Sequence, residues 1–155
     1  MIKGLYEAHL PVRSVKDSVE FYKGLGLKLA KMYEKTAFFW IVENESWIGL
    51  WECDQAGIPY HPSIRHIAFQ VELEDLKMAK SWLQERGIEL REEFGFSPIE
   101  PIVMADQGHA MVYFHDLDGN SLEFICRLSV EPTEEFSQNM MYLSEWEKRE
   151  LILLN

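Results

Sequence analysis

Two histidines and two carboxylates in this 155-residue chain fall where extended segments would aim them together. In residues 5–12, Tyr6, Ala8 and Leu10 share one face of a strand, and Leu5, Glu7 and His9 share the other. In residues 65–72, Ile67, Phe69 and Val71 form the apolar face, which leaves His66, Ala68 and Gln70 opposite. In residues 121–127, Leu122, Phe124 and Cys126 form that face, which leaves Ser121, Glu123 and Ile125 opposite. A carboxylate held beside imidazoles in apolar surroundings needs compensation, and a divalent cation supplies it. Two imidazoles and one carboxylate, with coordination positions left over, suit Fe(II), Mn(II), Ni(II) or Zn(II). The expected ligands are His9, His66 and Glu123. Glu7 and His9 are one strand period apart, about 6.5–7 Å between Cα atoms, so one of them is the direct ligand. The preference of borderline metals for imidazole assigns that place to His9 and leaves Glu7 as a catalytic group for proton transfer. The reverse assignment, Glu7 on the metal with His9 beside it, is the alternative.

The elements that must position these residues occur twice. After the first strand, Ser14 opens a helix with Asp17 three residues on, Val15, Val19, Tyr22 and Leu25 give it an apolar stripe, and Gly26 stops it. Strand-like runs follow at 27–33, 36–42 and 47–53, and then a Gly/Pro-bearing linker at 54–63. The pattern restarts with a strand at 65–72. Glu74 and Asp75 open a helix carrying Leu76, Ala79 and Leu83, and Gly87 stops it. A strand at 88–91, a long loop at 92–108 and strands at 111–115 and 121–127 complete the copy. Val15, Phe21, Gly26 and Leu27 match Leu76, Trp82, Gly87 and Ile88 at one constant offset. One such copy leaves a sheet face without a partner, so two must pack. The expected fold is α+β: two βαβββ modules, residues 4–53 and 64–128, forming an eight-stranded cup-shaped sheet with the helices outside, in a single domain of residues 1–128. Residues 129–155 form a helical extension, set off by Pro132 and opened by a capping box of Ser144 and Glu147. Its ending, Leu151-Ile152-Leu153-Leu154, is too apolar for water and packs on its own domain or on a second copy, giving a homodimer.

Composition narrows the function classes. A net charge of −11 without a basic stripe argues against a nucleic-acid partner. No apolar run approaches the ~18 residues of a membrane span, and the N-terminal residues lack a signal-peptide layout. Cys53 and Cys126 have no metal-ribbon spacing, which argues for a reducing, cytoplasmic setting.

Residues 12–22 (VRSVKDSVEFY), Gly24-Leu25-Gly26-Leu27, His66 through Val71, and Tyr113-Phe114-His115-Asp116-Leu117-Asp118-Gly119-Asn120-Ser121-Leu122-Glu123 together resemble the vicinal oxygen chelate superfamily. That superfamily comprises glyoxalases, fosfomycin-modifying enzymes, bleomycin-resistance proteins and extradiol dioxygenases. The last stretch is similar to its F-x-D-P-D-G-x-x-[IL]-E strand–turn–strand. The resemblance implies metal ligands in the first and last strand of each half. In the second half these are His66 and Glu123. In the first half the last-strand position falls on Gly49, which cannot coordinate, and this implies a three-ligand site. Register from Val12 places the first-strand ligand on Glu7, one strand period from His9. Tyr113 stands where fosfomycin enzymes carry a tyrosine and is, with Glu7, an expected catalytic residue, whereas Val103 and Pro132 occupy the places of their phosphonate-facing lysine and arginine. Phe39, Trp47, Trp51 and Tyr113 are the expected lining of the substrate site, Trp47 and Trp51 sharing parity with Gly49. The implied activity is that of a metal-dependent lyase, transferase or dioxygenase on a small oxygenated molecule. The alternative is a bleomycin-resistance type of protein that sequesters a hydrophobic or cationic ligand.

Overall fold

A computed structural model describes residues 4–60, 64–128 and 140–153, with side chains as far as residue 149. It shows an α+β protein of two compact units. One unit runs to Arg65 and includes Asp116–Asn120. The other comprises His66–His115 and the residues from Ser121 onward.

The first unit contains β1 (Glu7–Val12), α1 (Val15–Gly24), β2 (Lys28–Met32), β3 (Thr36–Val42) and β4 (Ser46–Glu52). The strand order is β1-β4-β3-β2, with β1 and β4 parallel and the other pairs antiparallel. The helix begins as its sequence requires. The Ser14 hydroxyl accepts from the Asp17 amide at 3.3 Å, and the Glu52 carboxylate accepts from the Val15 amide at 2.9 Å. It ends before Gly26, whose φ of +87° a residue with a side chain rarely adopts. Val15, Val19 and Tyr22 of the helix are buried, as are Leu10, Val12, Phe39, Ile48 and Leu50 of the sheet, and the helix packs on β3 and β4 with Tyr22 against Phe39. The turn at 116–120 is tied into this unit by Asp116, whose buried carboxylate accepts four hydrogen bonds. Their donors are the Tyr22 hydroxyl, the Asn120 side chain, and the amides of Asp118 and Asn120. The Asn120 side chain also donates to the Pro11 carbonyl at 3.0 Å.

The second unit contains β5 (His66–Gln70), α2 (Leu73–Gln84), β6 (Ile102–Met104), β7 (His109–His115), β8 (Ser121–Arg127), β9 (Met140–Tyr142) and α3 (Leu143–Leu153). Its order, β5-β8-β7-β6-β9, repeats that of the first sheet and adds one strand. The described residues thus bear out the α+β fold of two repeated modules with a C-terminal helix, their nine strands lying in sheets of four and five.

Two expectations change here. Residues 88–91 are not a strand: they touch β7 through a single bridge, Leu90 to Phe114, and a hydrogen bond from the Arg91 amide to the Tyr113 carbonyl at 2.8 Å. The chain then leaves the sheet through a turn with Phe94 and Gly95 at positive φ. It returns to the same edge of β7 as β6, pairing Ile102 with Met111. The long loop therefore splits the edge position that β2 fills in the first unit. The second change is the tail, which is a strand as well as a helix. β9 covers the free edge of β6, and Met141, Leu143 and Trp146 join Leu76, Ala79, Val103, Val112 and Cys126 in the core. The start of α3 is held by Glu100, which accepts from the Ser144 amide at 3.0 Å and hydroxyl at 2.8 Å. Glu147, the expected capping partner, instead pairs with Lys77 at 2.9 Å. The side chains of the apolar ending 151–154, expected to pack on the domain or on a second copy, lie outside the described residues, as does Pro132. Among the described residues no helix is long and apolar enough to cross a membrane.

Candidate functional site

Each unit carries its own set of chemically able side chains. In the first, β1 lies parallel to β4 with Glu7 beside Trp47 and His9 beside Gly49. The Trp47 indole N–H donates to Glu7 Oε2 at 2.6 Å, and His9 Nε2 stands 3.6 Å from the same oxygen. Glu7 and His9 therefore occupy one face, as their spacing requires. Trp51 and Phe38 flank the imidazole, with ring centroids 5.4 and 6.2 Å from it. Trp47 packs against Phe38 at 5.0 Å and stacks on Trp40 at 5.0 Å.

Phe39, expected in this lining, is not there. It is fully buried on the opposite face against Tyr22, and Phe38 takes its place. Register decides this: β3 pairs Phe38 with Gly49 and Phe39 with Ile48, and Ile48 faces the core.

Gly49 does more than lack a ligand. A Cβ at this position would lie 2.6 Å from His9 Cδ2 and 3.0 Å from Phe38 Cε1, so the imidazole lies over the glycine. Gly49→Ala should push the ring off the sheet and cost roughly 1–3 kcal/mol by overpacking. In a double-mutant cycle with His9→Ala, most of that cost should vanish, because the clash then has no partner. Additive costs in chemical denaturation would refute this packing.

In the second unit, β5 lies parallel to β8 with His66 beside Ser121, and β7 places Tyr113 opposite Glu123. His66 Nε2 lies 2.9 Å from Glu123 Oε2, and its Nδ1 lies 3.1 Å from Ser121 Oγ. Burial raises the Glu123 carboxyl above its ordinary range, while His66, Tyr113 and Arg91 pull it back. Burial, followed by the nearby Glu123 and Glu93 charges, raises the Tyr113 phenol well above its usual value. Tyr113 therefore keeps its proton and is not a base. Spectrophotometric alkaline titration should give the same tyrosinate curve for wild type and Tyr113→Phe up to global unfolding. A missing low-pH ionisation in the variant would contradict the assignment.

Arg91 is the member of this set that sequence reasoning missed. Its Nη2 donates to Ser121 Oγ at 2.8 Å, its Nη1 pairs with Glu93, and its guanidinium sits 5.1 Å from the Tyr113 ring centroid. A lone arginine before a glutamate-rich loop carries no signal of a partner thirty positions on. Only the bridge that lays Leu90 along β7 brings it there.

Among the described residues no group of three or more His, Cys, Asp or Glu side chains is gathered as a metal centre. The pairs that do form are His66 with Glu123 and, separately, Glu7 with His9. The first pair fits an ion. Two donors 2.9 Å apart have the separation of neighbouring ligands that each bond one metal at ~2.1 Å. The donor types, one imidazole and one buried carboxylate, also suit a borderline divalent cation.

Comparison with known proteins places this arrangement in context. The chain is similar in structure to the fosfomycin resistance protein FosX from Listeria monocytogenes, solved with Mn(II) and sulfate. The two are 22% identical over 88% of this chain and 96% of that one, with a TM-score of 0.61. It is likewise similar to lactoylglutathione lyase from Agrobacterium tumefaciens, at 18% identity over 81% and 94% of the two chains and a TM-score of 0.61. A third similar structure, the oxidase ChaP-H2, is 21% identical over 86% and 100%, with a TM-score of 0.63. No curated protein matches. The family described as the Glyoxalase/Bleomycin resistance protein/Dioxygenase superfamily matches residues 4–124. With the repeated strand–helix–strand order and the His66–Glu123 pair on adjacent strands, this chain belongs to that superfamily.

Proposed function

We propose that the protein is a metal-dependent enzyme of this superfamily, a lyase, transferase or dioxygenase, acting on a small oxygenated molecule. The carrying observation is the buried carboxylate of Glu123 held 2.9 Å from His66 Nε2, on two parallel neighbouring strands. A carboxylate in this setting is costly without a cation, and the imidazole beside it is the usual companion ligand. The proposal takes His66 and Glu123 as ligands of one divalent ion, Fe, Mn, Ni or Zn, and follows the sequence in assigning the third position to His9. The Mn(II) of the similar FosX structure supports a divalent ion here. Such an ion, when bound, would supply Lewis-acid stabilisation of negative charge developing on the substrate.

The chain's own residues do the rest. Tyr113, opposite Glu123 on β7, keeps its proton because burial raises its phenol. Glu7, steadied by the Trp47 indole, is the proton acceptor of the proposal. Trp47 and Trp51, with Phe38 in place of Phe39, form the apolar wall of the first unit that would hold the substrate.

Elemental analysis of protein purified without chelators, followed by titration of the stripped protein with Mn(II), Ni(II) and Zn(II), tests the reading. About one equivalent of a transition metal is expected. Failure of all three ions to bind would remove the enzyme proposal in favour of a sequestering protein.

A further inference from the structure

The hydrogen bonds around His66 deepen the proposed metal site, and only their metal-bound arrangement rests on that reading. Arg91 can only donate, so its 2.8 Å bond occupies one lone pair of Ser121 Oγ. That oxygen has one proton and one further lone pair to offer His66 Nδ1 at 3.1 Å. On the other side of the ring, Nε2 faces the Glu123 carboxylate at 2.9 Å. A neutral imidazole has one N–H. If Nδ1 carried it, the Nε2 lone pair would oppose an acceptor oxygen and the serine proton would lose its partner. If Nε2 carries it, all of these bonds are made: Arg91 donates to Ser121, Ser121 to Nδ1, and Nε2–H to Glu123.

We infer that Ser121 is a positioning residue that reverses its hydrogen-bond role with the state of His66, donating to Nδ1 in the metal-free protein and accepting from Nδ1–H when Nε2 binds a metal. The reversal follows from ligation itself. A metal on Nε2 requires that nitrogen's lone pair, so the proton must move to Nδ1. Among the described residues the oxygen within hydrogen-bond reach of Nδ1 is Ser121 Oγ, whose remaining lone pair can take it. Arg91 holds the serine in place in both states, itself fixed by Glu93 and the Tyr113 ring. An alanine at 121 would leave the metal-free imidazole its bond to Glu123 but strip the ligated imidazole of its acceptor. The hydroxyl should therefore matter more to metal affinity than to stability.

The test uses the full chain and zinc, which is diamagnetic. Nitrogen-15 NMR of the imidazoles, at pH above the histidine titrations, reads the tautomer. The metal-free wild type should show His66 as Nε2–H, and the zinc-loaded protein should show Nδ1–H. Calorimetric titration should find zinc binding weakened about 10–100-fold in Ser121→Ala and restored by Ser121→Thr, which keeps the hydroxyl. The denaturation midpoint of metal-free Ser121→Ala checks that the loss is not one of folding. Nδ1–H in the metal-free wild type, or wild-type zinc affinity in Ser121→Ala, overturns the inference. If the wild type binds no zinc, Mn(II) or Ni(II), the metal reading fails and the metal-bound half falls with it. The tautomer of the metal-free protein then decides the remaining half: Nε2–H upholds the donor role of Ser121 and Nδ1–H refutes it.

Discussion

His66→Ala and Glu123→Ala should each weaken divalent-ion binding by at least about tenfold, since loss even of groups that only support a ligand costs that much. The two residues approach from adjacent strands, so removing one leaves the other in place and any residual affinity reports on it. Alanine at 123 also deprives His66 Nε2 of its partner. Glu123→Gln is the sharper probe, because it keeps the volume and removes the charge. The linkage sign gives a second readout. Burial raises the native Glu123 pKa above its unfolded value, so the native state binds the proton more tightly. The resulting contribution to stability is present at acid pH and is lost as pH rises through the raised value. Metal-free wild type should therefore lose stability relative to Glu123→Gln over that rise. Bound metal should offset the loss in wild type alone. Equal metal affinity in wild type, His66→Ala and Glu123→Gln would end the metal proposal.

Trp146→Ala should destabilise the protein by about 3–5 kcal/mol, the usual cost of emptying a large aromatic site in a core. Trp146 is 5% exposed and packs in one cluster with residues of α2, β6, β7 and β8. Urea denaturation followed by circular dichroism measures the effect. A cost below about 1 kcal/mol, typical of surface changes, would mean that the C-terminal segment is an appendage. The expected value makes it part of the second unit's core, with β9 satisfying the backbone edge of β6 and α3 covering the sheet.

The elements governed by local chemistry were legible in the chain. Ser14 caps α1 because a hydroxyl there satisfies an orphan amide, and Gly26 and Gly87 end their helices because positive φ suits glycine. The duplicated strand–helix–strand–strand–strand order followed from those signals. Strand alternation put Glu7 with His9, and Ser121 with Glu123, on one face each, because a strand's side chains alternate whatever it pairs with.

Pairing decided the rest. Residues 36–42, Thr-Ala-Phe-Phe-Trp-Ile-Val, are nearly all apolar and show no alternation, so only the register of β3 on β4 selects Phe38 over Phe39 for the face of His9. The edge of β7 accepts any backbone that offers amides and carbonyls. It is shared by the Leu90 bridge and β6, and β9 fills the next edge, none of which side-chain periodicity encodes. Arg91 reaches Ser121 for the same reason. Its position comes from a main-chain hydrogen bond to Tyr113 and not from any pattern of its own. The chain by itself determined which residues can act and on which face of a strand each stands. Tertiary structure decided which of those faces meet, because backbone hydrogen bonding between distant segments is indifferent to the side chains it brings together.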